Sequence, residues 1–105
     1  MNNEFICYVD HIGHDWNRTN GSEQPEEAVK AFDDLKNAVE AYKAAEGADK
    51  IMMLGYIAGR ARILYKAALR GSFVALDAKV LAYLASREMW KVEKAGIGAY
   101  LNEEV

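Results

Sequence analysis

The stretch Ile51-Met52-Met53-Leu54-Gly55-Tyr56-Ile57-Ala58-Gly59-Arg60-Ala61-Arg62-Ile63-Leu64-Tyr65-Lys66-Ala67-Ala68-Leu69 contains neither proline nor acid. Wound at about 100° per residue, it places Leu54, Ile57, Ala58, Ala61, Leu64, Tyr65 and Ala68 in one broad apolar stripe. Met52, Tyr56, Ile63 and Ala67 form a second stripe nearly opposite. Arg62, Lys66 and Arg70 climb the strip between them, one turn apart. A helix that is apolar on two sides has two neighbours. The segment therefore predicts a helix that enters a core on one side and meets another surface on the other.

Upstream, Pro25 opens a simpler helix. Proline is tolerated in a first turn, Glu26 and Glu27 complement the positive end of the helix dipole, and Ser22 or Gln24 can cap the start. Ala28, Phe32, Leu35, Val39 and Tyr42 then recur at helical spacing on a single face, with Glu26, Lys30, Asp33, Lys36, Asn37, Glu40 and Lys43 on the remainder. Gly47 reads as its end and Asp49 as a cap for the helix that follows.

Downstream, Arg70-Gly71-Ser72 reads as cation, terminator and new N-cap. A third helix over residues 73–95 repeats the two-sided pattern. Val74, Ala78, Leu81, Ala85, Met89 and Val92 make one stripe; Phe73, Leu76, Val80, Tyr83 and Trp90 make another. Short connections at Gly47 and Gly71 imply antiparallel neighbours.

The N-terminal run Phe5-Ile6-Cys7-Tyr8-Val9 fits two patterns. Its β-branched and aromatic residues favour a strand, while Phe5, Tyr8, Val9, Ile12 and Trp16 fit one helical face. Gly13 and the weak helix propensity of the run favour the strand. His14 to Gln24, with Asn17, Asn20, Gly21 and Ser22, reads as a loop. Ile97-Gly98-Ala99-Tyr100-Leu101 is a second short strand with which the first could pair. The expected fold is mainly α: one helical domain over residues 1–105, an antiparallel three-helix bundle with a short N-terminal strand and a dimeric assembly.

With 105 residues, 51% apolar and 28% charged, the chain can bury a core without disulfides or metals. Its single cysteine, Cys7, sits in an apolar run and reads as a buried thiol in a reducing, cytoplasmic setting. No apolar run approaches the roughly 18 residues of a membrane span. The net charge of −3 conceals an asymmetry. Residues 1–49 hold eleven Asp/Glu against four Lys/Arg, whereas Lys50 to Arg70 hold five cations and no acid. The acidic first helix is expected to neutralise its basic neighbour, leaving less for an outside partner.

Catalytic patterns are missing from the sequence: no phosphate-cradling glycine loop, nucleophilic triad order or zinc-finger spacing occurs. Asp10-His11-Ile12-Gly13-His14-Asp15 gathers metal-ligating atom types near Cys7, but the preferred reading is a polar surface loop whose histidines are solvent-facing or bond nearby carboxylates. Gly55 and Gly59, four residues apart, allow a close helix crossing. The expectation is a small non-enzymatic protein-binding module, without cofactor, that forms a homodimer through Met52, Tyr56, Ile63, Ala67, Tyr83 and Trp90. Arg60, Arg62, Lys66 and Arg70 would contact a protein partner. A regulator or inhibitor of a larger protein machine, of the type phages and mobile elements encode, fits this composition. Nucleic-acid or nucleotide binding through the same cations, and metal binding through Asp10 to Asp15, are the alternatives.

Overall fold

The computed structural model describes residue 5, residues 7–18 and residues 24–96. Four helices are present among them: α1 (Cys7–Arg18), α2 (Glu26–Ala44), α3 (Ala48–Ala67) and α4 (Phe73–Ala95). The last three match the helices expected from the periodicity. The first replaces the expected strand and the beginning of the expected loop. Residues 19–23 and the expected second strand at 97–101 lie outside the described residues.

Packing explains why α1 forms where local propensity favoured a strand. Phe5, Val9 and Ile12 are buried, and Tyr8 and Trp16 pack against the same core. Their spacing of four, three and four places them on one helical face, whereas a strand would send Phe5 and Val9 to one side and Tyr8 and Ile12 to the other. Gly13 does not break the helix. A Cβ there would meet Phe32 Cζ at 3.8 Å, an ordinary contact.

The helices close a ring. α2 packs on α3, α3 on α4 and α4 on α1; α1 returns to α2 through aromatic pairs. The Trp16 ring stacks on Phe32 with centroids 4.9 Å apart, and Phe5 meets the edge of Tyr42 at 5.6 Å. The body measures 43 × 22 × 19 Å, about two helix diameters in each short direction. A four-helix bundle thus stands where three helices were expected. Its axis is filled by Ile12, Leu35, Tyr42, Leu54, Ile57, Leu64, Val74 and Leu81. Ala61, Ala78 and Ala85 are fully buried beside them, and their small side chains let α3 and α4 approach closely.

The helix ends show how the connections are held. Gly47 and Gly71 adopt φ of 61° and 81°, a region costly for residues with a Cβ. Ser72 caps α4 by accepting from the Ala75 N–H at 3.2 Å. Pro25 precedes α2 without a side-chain cap. Gln24, expected to help cap α2, instead reaches across the bundle: its Oε1 accepts from the Leu69 N–H at 2.8 Å. Leu69 lies just past the end of α3, where an amide has lost its helical acceptor. One buried glutamine therefore ties the entry of α2 to the α3–α4 connection.

Candidate interaction surface

α3 turns Ile51, Leu54, Ile57, Ala58, Ala61 and Leu64 into the core. On the wheel the opposite direction carries Met52, Tyr56 and Ile63, all exposed, with Ala67 half-buried at the margin. The second apolar stripe seen in the sequence consequently faces outward from the bundle. The strips flanking it carry Arg62, Lys66 and Arg70, also exposed.

α4 repeats the arrangement. Val74, Ala78, Leu81, Ala85 and Val92 face inward, and Phe73, Leu76, Tyr83 and Trp90 face outward with 55–65% of their surface exposed. The outward series Phe73, Leu76, Val80, Tyr83, Arg87, Trp90, Lys94 alternates steps of three and four, the spacing of a helix–helix seam. α3 and α4 run antiparallel. Gly55 sits beside Met89, with 3.9 Å between a Cβ built on the glycine and Cε, and Lys79 Nζ lies 5.6 Å over the Tyr65 ring. That register sets Trp90 and Tyr83 alongside the span from Met52 to Ile63.

Along α3, Met52, Gly55, Tyr56, Gly59, Arg60 and Ile63 line an open groove of about 450 Å³. Arg60 lies over the Tyr56 ring at 5.5 Å, and Lys94 covers Trp90 at 5.6 Å on α4. Neither glycine is demanded by the fold. Around Gly59 nothing lies within 4 Å of where a Cβ would stand, and at Gly55 the Met89 contact is ordinary. A mid-helix glycine costs about 1 kcal/mol relative to alanine, and among the described residues no close approach at Gly55 or Gly59 requires the missing Cβ.

The acids of α2 do not pair with Arg62, Lys66 or Arg70 as the sequence led one to expect. α2 answers its own acids: Lys36 pairs with Asp33 at 3.3 Å and Lys43 with Glu40 at 3.6 Å. Among the described residues no carboxylate lies within ion-pair distance of Arg62, Lys66 or Arg70. Between residues 50 and 92 the acids are Asp77 and Glu88, and both serve the α1 side of α4. Glu88 is buried, bonded by Lys91 Nζ at 3.1 Å, in a pocket shared with Phe5, Cys7 and Tyr8. Asp77 hydrogen-bonds Asp15 of α1. Asp49 at the start of α3 and Glu93 near the end of α4 are the other acids of these two helices, so the outer α3–α4 surface between them is mainly apolar and cationic, while acids outnumber cations on α1 and α2.

The helical conformation of α1 splits the Asp10 to Asp15 cluster. Asp10 and His14 line a groove against Lys36, Glu40 and Lys43 of α2, while His11 and Asp15 turn toward Asp77. The Tyr8 and His11 rings lie 5.4 Å apart. Among the described residues no three His, Cys, Asp or Glu side chains converge as metal ligands would. Cys7, expected to be buried, is exposed at the start of α1.

Asp77 is the site the sequence did not disclose. Burial, then the hydrogen bond and the negative charge of Asp15, push its carboxyl from 3.8 up to about 6, with His11 opposing. Sixty-two positions separate Asp15 from Asp77, and only a helical α1 docked on α4 brings them together.

Comparison with protein-family models, curated proteins and solved structures gives no match. Among the described residues no helix is long and apolar enough to cross a membrane.

Proposed function

We propose that this chain is a non-enzymatic protein-binding module that self-associates through its outer α3–α4 surface and acts by occupying a larger protein machine as a regulator or inhibitor. The observation that supports this is the outward seam of α4, where Phe73, Leu76, Tyr83 and Trp90 stay largely exposed at the spacing of a helix–helix interface.

Seven large apolar side chains are involved when Met52, Tyr56 and Ile63 are included. At roughly half exposure of side chains that bury up to 150–250 Å² each, the surface is on the order of 600 Å². That lies at the upper limit for monomers and near the roughly 800 Å² each partner contributes to a standard interface. A second copy fits α4 because the seam is self-complementary. In a two-fold antiparallel crossing at Tyr83, Leu76 meets Trp90 of the second copy, and Phe73 meets Lys94. Burying such side chains contributes about 1.5–3 kcal/mol each, enough to exceed the association entropy.

Light scattering of the purified chain tests this reading. The expected mass is twice that of the 11.7 kDa monomer, falling to one copy in Tyr83→Glu and Leu76→Glu with the helical circular dichroism unchanged. A monomeric wild type at high micromolar concentration overturns self-association.

A further inference from the structure

We propose that the groove along α3 seats an acidic amphipathic helix from a different protein, leaving the α4 seam to the second copy. This assignment rests on the reading of the chain as a binding module, and it narrows the self-association face to Phe73, Leu76, Tyr83 and Trp90 of α4, on the order of 400 Å², giving Met52, Tyr56 and Ile63 to the other partner.

The groove has the form a helix requires. Gly55 and Gly59 lie one turn apart on its floor, with Met52, Tyr56 and Ile63 beside them. Small residues at that spacing admit a second backbone at close range, and apolar walls accept residues repeating at three and four. The bundle itself makes no use of the missing Cβ atoms, since Gly59 faces open space. The advantage of having glycine there lies outside the molecule.

Charge decides which helix fits. Arg60, Arg62 and Lys66 flank the groove, and among the described residues neither Arg62 nor Lys66 has a carboxylate within ion-pair reach. A second copy of α3 crossing at Gly59 would set Arg60 and Arg62 against their own equivalents, and like charges brought together oppose association. A helix with an apolar ridge and glutamates on both flanks meets the walls and the cations together. The same complementarity steers its approach and makes binding sensitive to salt.

The test uses the whole chain and two short synthetic helical peptides that share a leucine ridge, one flanked by glutamate and the other by lysine. Fluorescence anisotropy is expected to show binding of the glutamate peptide and on the order of tenfold or greater preference over the lysine peptide. Gly59→Leu fills the groove from a position where a Cβ has no neighbour within 4 Å, and is expected to abolish binding while light scattering still reports two copies. Arg62→Glu with Lys66→Glu is expected to invert the preference. Several results overturn the proposal: equal binding of both peptides, no binding of either, or undiminished binding by Gly59→Leu. Conversion of Gly59→Leu to a monomer would instead make the groove the self-association seam. Tighter binding to phosphatidylserine vesicles or duplex DNA than to the glutamate peptide would assign the cations to phosphate. A wild type that is dimeric yet ignores both peptides refutes this division of the surface alone; a monomeric one that ignores both refutes the binding module as well.

Discussion

Asp15 of α1 and Asp77 of α4 share a hydrogen bond between carboxyl groups across the helix interface. Two carboxylates can bond in this way only while a proton lies between them. Burial and the neighbouring charge raise Asp77 from 3.8 to about 6, so the folded chain holds this proton more tightly than the unfolded one. The sign follows from linkage. The contribution of the shared proton is complete below pH about 4, declines as pH rises toward 6 and is gone above it. Urea midpoints of wild type and Asp77→Asn, measured from pH 4 to 8, are expected to separate as pH increases. The variant keeps a neutral donor and should be the more stable at pH 8, by on the order of 1 kcal/mol after screening by solvent. Parallel pH profiles for the two proteins would count against a shared proton.

Ile12 is fully buried in α1, whereas Ile63 is exposed on α3. Ile12→Ala is expected to cost about 2–5 kcal/mol, a large part of the 5–15 kcal/mol typical of a domain. Ile63→Ala should fall within about 0.5 kcal/mol of wild type in a dilute, monomeric sample. Chemical denaturation measures both. A small effect at Ile12 would detach α1 from the core.

Gln24→Ala removes the acceptor from the Leu69 amide. A donor left unsatisfied in a partly buried place costs about 1–3 kcal/mol. Hydrogen exchange at Leu69 should accelerate together with the loss of stability; exchange as slow as wild type would show that another acceptor takes over.

Gly59→Ala should raise the unfolding free energy by about 1 kcal/mol, because its Cβ enters open space. A rise in melting temperature measures this. A fall would show that the backbone at Gly59 is needed within the bundle.

How far the sequence could be read followed the length of each periodic signal. α2, α3 and α4 each repeat their apolar face over nineteen or more residues, long enough for periodicity to outweigh local preference. The outward stripes on α3 and α4 followed from the same counting, and Met52, Tyr56, Ile63, Tyr83 and Trp90 are exposed. α1 is only twelve residues long. Over so short a run, β-branched and aromatic composition competes evenly with helical spacing, and Gly13 inclined the reading toward a strand. That single misreading hid the fourth helix, the split of Asp10 and His14 from His11 and Asp15, and the pairing of Asp15 with Asp77. The Gln24–Leu69 bond was illegible for a different reason: a glutamine beside a helix start looks like a local cap whether or not a distant amide awaits it. The ion pairs were misjudged because α2 carries its own lysines three residues from its acids, and near partners are met before distant ones.

The excess of acids over cations on α1 and α2, set against the excess of cations over acids on α3 and α4, makes the bundle an electric dipole lying across its long axis. Its net charge of −3 repels an anionic body at long range, yet within a Debye length of about 8 Å the nearer face governs the torque. An approaching anionic surface would therefore rotate the molecule before touching it, presenting α3 first. Orientation, and not attraction alone, is then what the asymmetric placement of charge contributes to encounter, and added salt should slow productive collisions even while it relieves the overall repulsion.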